Sequence, residues 1–330
     1  APALLAAALL PALAAPPALA ATAPAPAWAG YGETLTAYDP SLHERDHFAG
    51  DDRIGGTSSL TFHTGYSTAL TRTRLDAEGV TQVNYGQLRT RAAVSGSLDT
   101  INDGGRQTIA NMFAGGSIHD EFVIACAGCA DGTTGMFTAR VHVDGTISTA
   151  GALTGPSPTA TMTQGASWNF NAALTAQGVD AAVGVDRVSG TRSVSLSTGL
   201  PPFSEDVGDP LGWHTLTVSF VFGQPIALDL GLGVQAYHFL STDDGSGATG
   251  WAAVGTDFSH SLTWEGISAL TGADGQAITG FTALNTAGVD YARSLAAVAP
   301  VPEPGTWALM AGGLGLLVLG RSRRARRTAA

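Results

Sequence analysis

Between Thr215 and Val234 apolar residues recur at every second position on both sides of a short break. Leu216, Val218, Phe220 and Phe222 alternate with Thr215, Thr217, Ser219 and Val221. After Gly223-Gln224-Pro225 the row resumes as Ile226, Leu228, Leu230, Leu232 and Val234, alternating with Ala227, Asp229, Gly231 and Gly233. A period of two fits an extended strand, whose side chains alternate between two faces, and does not line one face of a helix. Two such runs about a Gly/Pro break read as an antiparallel hairpin.

The same patterning marks Ser59 to His63, Gly86 to Val94, Glu121 to Cys126, Phe137 to Val143, Trp168 to Leu174, Ser193 to Ser197 and Asp257 to Trp264 as strands. Asp-Gly, Asn-Asp-Gly-Gly and Gly-Ser-Gly punctuation suits short turns. Nowhere in the body does a 3.6-residue apolar period persist between caps. The predicted fold is all-β: an antiparallel two-sheet sandwich, jelly-roll-like, with Gly-rich or acidic connections at the sheet ends.

Charge narrows the partners. The 330 residues include 43 glycines and only 13% charged residues, a balance typical of Gly/Thr/Ser-rich β proteins that work outside the cell. Every one of the 16 basic residues is arginine, and five of them, Arg321, Arg323, Arg324, Arg326 and Arg327, lie in the last ten positions. Residues 21 to 300 hold 26 acidic and 11 basic side chains, which leaves that segment at about −15. Such a body repels phosphate backbones and excludes nucleic acid as a partner.

The two ends differ from this body. Residues 1–20 are apolar and uncharged and close on the small-x-small pattern Ala18-Leu19-Ala20, which reads as the h-region and c-region of a secretory signal peptide. An Ala/Pro linker follows over 21–30, and the β body is expected over 31–298. At the other end, Val301-Pro302-Glu303-Pro304 precedes Gly305-Thr306-Trp307 and an apolar run to Gly320 that includes Leu309, Leu314, Leu316, Leu317, Val318 and Leu319. The basic tail 321–327 comes next. Two prolines hold a peptide extended and deny a helix its early hydrogen bonds, so 301–304 suits presentation to a protease. As a helix, 305–320 spans about 24 Å at 1.5 Å per residue, short for a hydrocarbon core of about 30 Å. It is a marginal transmembrane anchor, with Trp307 at one interface and the five arginines as a cytoplasmic stop-transfer signal.

That order of parts resembles the PEP-CTERM family, in which a Pro-Glu-Pro tripeptide, a short membrane segment and an Arg-rich tail close the chain. Typical members carry Ser or Ala where this chain has Gly305. The resemblance covers residues 299–327. It implies transient anchorage in the inner membrane, recognition at Val301 to Pro304 by an exosortase-type membrane protease, and transfer of the body to the cell surface or exopolysaccharide matrix. A weaker likeness to the same family lies in Asp257-Phe258-Ser259-His260-Ser261-Leu262, the turn pair Asp274-Gly275 and the closing Gly288-Val289-Asp290-Tyr291. Read from the residues alone, these are consecutive strands joined by an Asp-Gly turn.

Few constellations in the body carry chemistry. Cys126-Ala127-Gly128-Cys129 holds the two cysteines, and in an oxidising compartment such a pair closes a small structural disulfide. Redox or zinc roles lack the surrounding motif. Eight dispersed histidines show no metal-ligand spacing, and no cofactor is expected. Asp51-Asp52, Glu205-Asp206 and Asp243-Asp244 are acid pairs of the kind found in glycosidase or calcium sites, although loop acids are more often simply solvated. The leading expectation is a non-catalytic surface or matrix protein. The alternatives are a glycan-binding module using Trp168, Trp213, Trp251 or Trp264, although tryptophans in strands are more often core, and an exported polysaccharide hydrolase.

Overall fold

The computed structural model describes residues 26–39, 42–101, 106–157, 159–178, 183–197, 200–209, 211–242 and 247–296. In chain order the strands are β1 (Trp28–Asp39), β2 (Leu42–Asp51), β3 (Thr57–Ser67), β4 (Thr71–Asn84), β5 (Gln87–Thr100), β6 (Arg106–Cys126), β7 (Thr134–Val143) and β8 (Thr146–Thr154). They continue with β9 (Thr161–Ala176), β10 (Val183–Ser197), β11 (Phe203–Gly208), β12 (Gly212–Val221), β13 (Pro225–Thr242), β14 (Ala248–Gly272) and β15 (Phe281–Leu284). Every segment read as a strand from its periodicity lies in or overlaps one of these.

Two antiparallel sheets result. An eight-stranded sheet runs β11-β10-β9-β13-β6-β1-β2, with β15 continuing along β6 beyond the end of β1. A seven-stranded sheet runs β12-β7-β14-β5-β4-β3, with β8 following β7 along the same edge of β14. The chain changes sheet repeatedly, as after β2, β5, β6, β8, β11, β12 and β13, and this makes the sandwich jelly-roll-like. The bend between β7 and β8 needs Gly145, because a Cβ there would stand 2.5 Å from the Phe258 ring.

Alternation places one row of each strand between the sheets. Leu35, Met112, Ile118 and Phe122 of the large sheet meet Leu75, Leu88, Phe137 and Phe220 of the small one, all essentially without solvent contact. Each such side chain contributes roughly 1.5–3 kcal/mol when fully buried.

The hairpin expected between 216–222 and 226–234 does not form. β12 pairs with β7 in the small sheet, whereas β13 pairs with β6 and β9 in the large one. The two apolar rows lie in different sheets instead of side by side, the row of β12 packing across the core towards β9 and β10 and that of β13 towards β5 and β14. The switch is tight: Gln224 N donates to Val221 O at 3.1 Å, and Gly223 takes a φ of +80°. A side chain at Gly223 would also meet Asp131 at 2.8 Å.

Candidate functional site

The closing segment of the body is held by a network of side-chain and backbone hydrogen bonds. Tyr291 is fully buried, stacks on Phe122 at 5.3 Å and meets the edge of Trp264 at 5.8 Å. Its hydroxyl donates to Oδ2 of the buried Asp120 at 2.5 Å, and Asn285 Nδ2 donates to the same oxygen at 2.8 Å. Asp290 Oδ1 accepts from the backbone of Ala283 and Ala292, and Trp264 Nε1 donates to the Tyr291 carbonyl at 2.8 Å. Leu295 is fastened in turn, its N–H to Trp264 O at 2.9 Å and its carbonyl to Gln87 Nε2. The Gly-Val-Asp-Tyr sequence is therefore a clasp that ties the end of the body to β6 and β14, ten residues before Val301 in sequence.

Cys126 and Cys129 are joined as expected, with Cα atoms 5.4 Å apart. Gly128 supplies the left-handed turn at φ +87°, and Cys129 N donates to Cys126 O at 3.3 Å. The bridge closes the tip of β6 where β15 pairs with it.

The four tryptophans weighed as sugar platforms divide evenly. Trp168 and Trp264 are core residues, whereas Trp213 is 55% and Trp251 47% exposed. Trp213 lies beside His142 at 4.6 Å and under the Arg140 guanidinium at 4.2 Å. A third exposed indole is Trp28, on β1. It stacks on His119 at 5.4 Å and 22°, and His119 Nδ1 is 2.7 Å from Asp229 Oδ1. Strand parity carried the signal for all three: with Leu216 and Val218 inward, Trp213 points outward, and the same argument applies to Trp251 beside Ala252 and Trp28 beside Ala29.

The outer faces of the two sheets differ in chemistry. On the small sheet Asp76 holds both Arg74 and His63 at 2.7 Å, and Arg91 pairs with Glu78 at 3.2 Å. His63 and Arg74 together hold the Asp76 carboxyl below its usual range against the opposing effect of its partial burial. Across the large sheet the outward rows are mostly glycine, amide, hydroxyl and aromatic, with the His119–Asp229 pair and Arg187 among them.

Of the acid pairs, Asp51 is bound by the Arg53 guanidinium at 2.7 Å and its pKa is lowered to about 2 by that bond. Asp206 is held by Arg192 through two 2.7 Å bonds that pull it below the usual carboxylate range. Asp243 and Asp244 lie outside the described residues. Among the described residues no group of three His, Cys, Asp or Glu side chains converges as a metal site.

The residues assigned to sorting, Val301 to Pro304, the apolar run with Trp307, and Arg321 to Arg327, also lie outside the described residues, as does the segment read as a signal peptide. A search of curated proteins finds no match to the chain. Residues 300–326 match the PEP-CTERM protein-sorting motif, so the chain is a PEP-CTERM-containing protein, carrying the signal of an exported protein sorted by an exosortase.

Proposed function

We propose that the chain is a non-catalytic structural or adhesive component of the cell surface or extracellular matrix, delivered there when an exosortase-type membrane protease reads Val301-Pro302-Glu303-Pro304. The observation that carries this reading is the sorting motif at 300–326 joined to an all-β body. Two features support the non-catalytic part. Asp51 and Asp206, members of the acid pairs weighed for glycosidase chemistry, are held as carboxylates by Arg53 and Arg192, and a general acid must instead keep its proton near neutral pH. Most of the side chains packed between the sheets are apolar.

In this account the apolar run 305–320 holds the protein in the inner membrane only until processing, and the exopolysaccharide matrix is the body's final setting. Replacing Pro302-Glu303-Pro304 by three alanines and fractionating the cells tests this. The variant should accumulate, full-length, in the inner membrane while the wild type leaves it. Release of the variant at the wild-type rate contradicts the reading.

A further inference from the structure

Antiparallel register places Trp28, His119, Asp229, Ala173 and Val185 side by side on the outer face of the large sheet. The next row is Gly30, Ser117, Gly231, Asn171 and Arg187, and the one after that Gly32, Gly115, Gly233, Asn169 and Ser189. A fourth row holds Phe113, Gln235 and Ser167. We propose that this face, with Trp28 and Asp229 on one side and the amides of Asn169, Asn171 and Gln235 on the other, binds a neutral polysaccharide chain. The proposal goes beyond sorting and does not rest on it.

Trp28 is the anchor. Its indole is 55% exposed, yet it is oriented from below by the imidazole of His119, which Asp229 holds in turn. A rigid aromatic with one free face suits the C–H face of a pyranose ring and loses little freedom on binding. The Asp229 side chain, 45% exposed, keeps its second carboxylate oxygen to accept from sugar hydroxyls beside that ring.

Opposite stands a set of amides whose positions are already fixed. Gln235 is held between Ser167, which donates to its Oε1 at 3.3 Å, and Asn111, whose Oδ1 accepts from its Nε2 at 2.8 Å. Asn171 Oδ1 accepts from Arg187 Nε at 2.9 Å, which leaves its Nδ2 to donate. Planar amides present a donor and an acceptor together, and that pattern matches neighbouring hydroxyls on a sugar. Between the two sides no bulky side chain stands above Gly30, Ser117 and Gly231. Five strands at 4.7–4.9 Å spacing give the row a length of about 19 Å, enough for several linked rings.

Charge selects the class of chain. Among the described residues of the first three rows, Asp229 and Arg187 carry the permanent charges, of opposite sign; Asp229 is bonded to His119, and Arg187 is held through its Nε by the neutral Asn171 amide and keeps its charge. Against a body at about −15, the single guanidinium of Arg187 is too little to hold a polyanion, which the net charge repels. The small sheet's outer face, laced with ion pairs, is the less suitable surface for a neutral ligand, and Trp213 there is already covered on one side by Arg140.

Affinity electrophoresis of the full chain in gels containing dextran, laminarin or galactomannan, with alginate as the polyanion, tests the proposal. At least one neutral polymer should retard the chain, alginate should not, and Trp28→Ala should weaken the retarding interaction at least tenfold. Gly231→Val should do the same by blocking the row. It keeps the fold, because an added Cβ meets nothing closer than 3.9 Å and β-branched residues suit strands. Trp213→Ala should leave retardation unchanged. No retardation by any neutral polymer, retardation that survives both Trp28→Ala and Gly231→Val, or equal retardation by alginate overturns the proposal. None of these results bears on processing at the sorting motif.

Discussion

The Tyr291 hydroxyl donates a 2.5 Å hydrogen bond to the carboxylate of Asp120, 171 residues earlier in the chain. Asp120 is fully buried, and a buried carboxylate stays charged only when donors surround it. Glu121 N supplies a third, to Oδ1 at 2.8 Å. Burial, and then the nearby Asp120 charge, push the Tyr291 phenol well above its usual range, so it remains a donor at any physiological pH. Tyr291→Phe keeps the ring packing and removes the donor. We expect a loss of about 1–3 kcal/mol in urea unfolding with an unchanged denaturant slope. An unchanged midpoint means that Asn285 and the backbone satisfy Asp120 unaided.

His238 predicts an acid-sensitive body. It is 1% exposed between the sheets, against Gly96, and neither ring nitrogen has a hydrogen-bond partner. Burial lowers its pKa from 6.5 to about 4. The proton is therefore bound more tightly in the unfolded chain. The stability this difference provides is complete above about pH 6.5 and is lost as pH falls towards 4, by about 3 kcal/mol at most. In His238→Leu the slope of stability between those pH values should flatten, whereas losses below pH 3.8, where Asp76 and Asp206 take up protons, should persist. An unaltered slope assigns the acid sensitivity to other groups.

Glycines in the sheets divide into those that must remain and those that need not. Gly145→Ala drives a Cβ into the Phe258 ring, itself fully buried against Trp168, and should cost about 1–3 kcal/mol. At Gly231 an added methyl meets ordinary contacts at 3.9–4.0 Å, so Gly231→Ala should be neutral or stabilise by about 0.5–1 kcal/mol. Thermal unfolding of the two variants side by side checks the contrast, and equal effects contradict it.

The Cys126–Cys129 bridge closes a very short loop. On the chain-entropy model four residues correspond to about 2 kcal/mol, so Cys129→Ser should lower stability by no more than that. Protein recovered from outside the inner membrane without reductant should resist thiol labelling under denaturing conditions. Full labelling at both cysteines removes the bridge from the native molecule.

Much of the sandwich was legible because alternation reports directly which face of a strand is buried, and the inward rows of β7, β12, β13 and β14 follow it. Alternation says nothing about which strand lies alongside. An apolar row reads the same whether the next strand is a hairpin partner or crosses to the other sheet, and for this reason periodicity alone pairs β12 with β13 wrongly. The tryptophans show the opposite case, since parity already pointed Trp213 and Trp251 outward and only the residue type suggested burial. Gly-Val-Asp-Tyr stands out in the sequence but reads there as a closing strand, whereas it forms a turn with a single bridge from Asp290 to Leu284; its partner Asp120 gives no signal, because pairing over 171 residues leaves no local trace. His119 beside Trp28 was hidden in the same way.

The sorting account stands on what happens to the C-terminus. Mass spectrometry of the mature protein recovered from the cell surface or matrix should find chains ending near Pro304, with Trp307 and Arg321 to Arg327 absent. Recovery of released protein that still carries the intact apolar run and arginine tail contradicts the account.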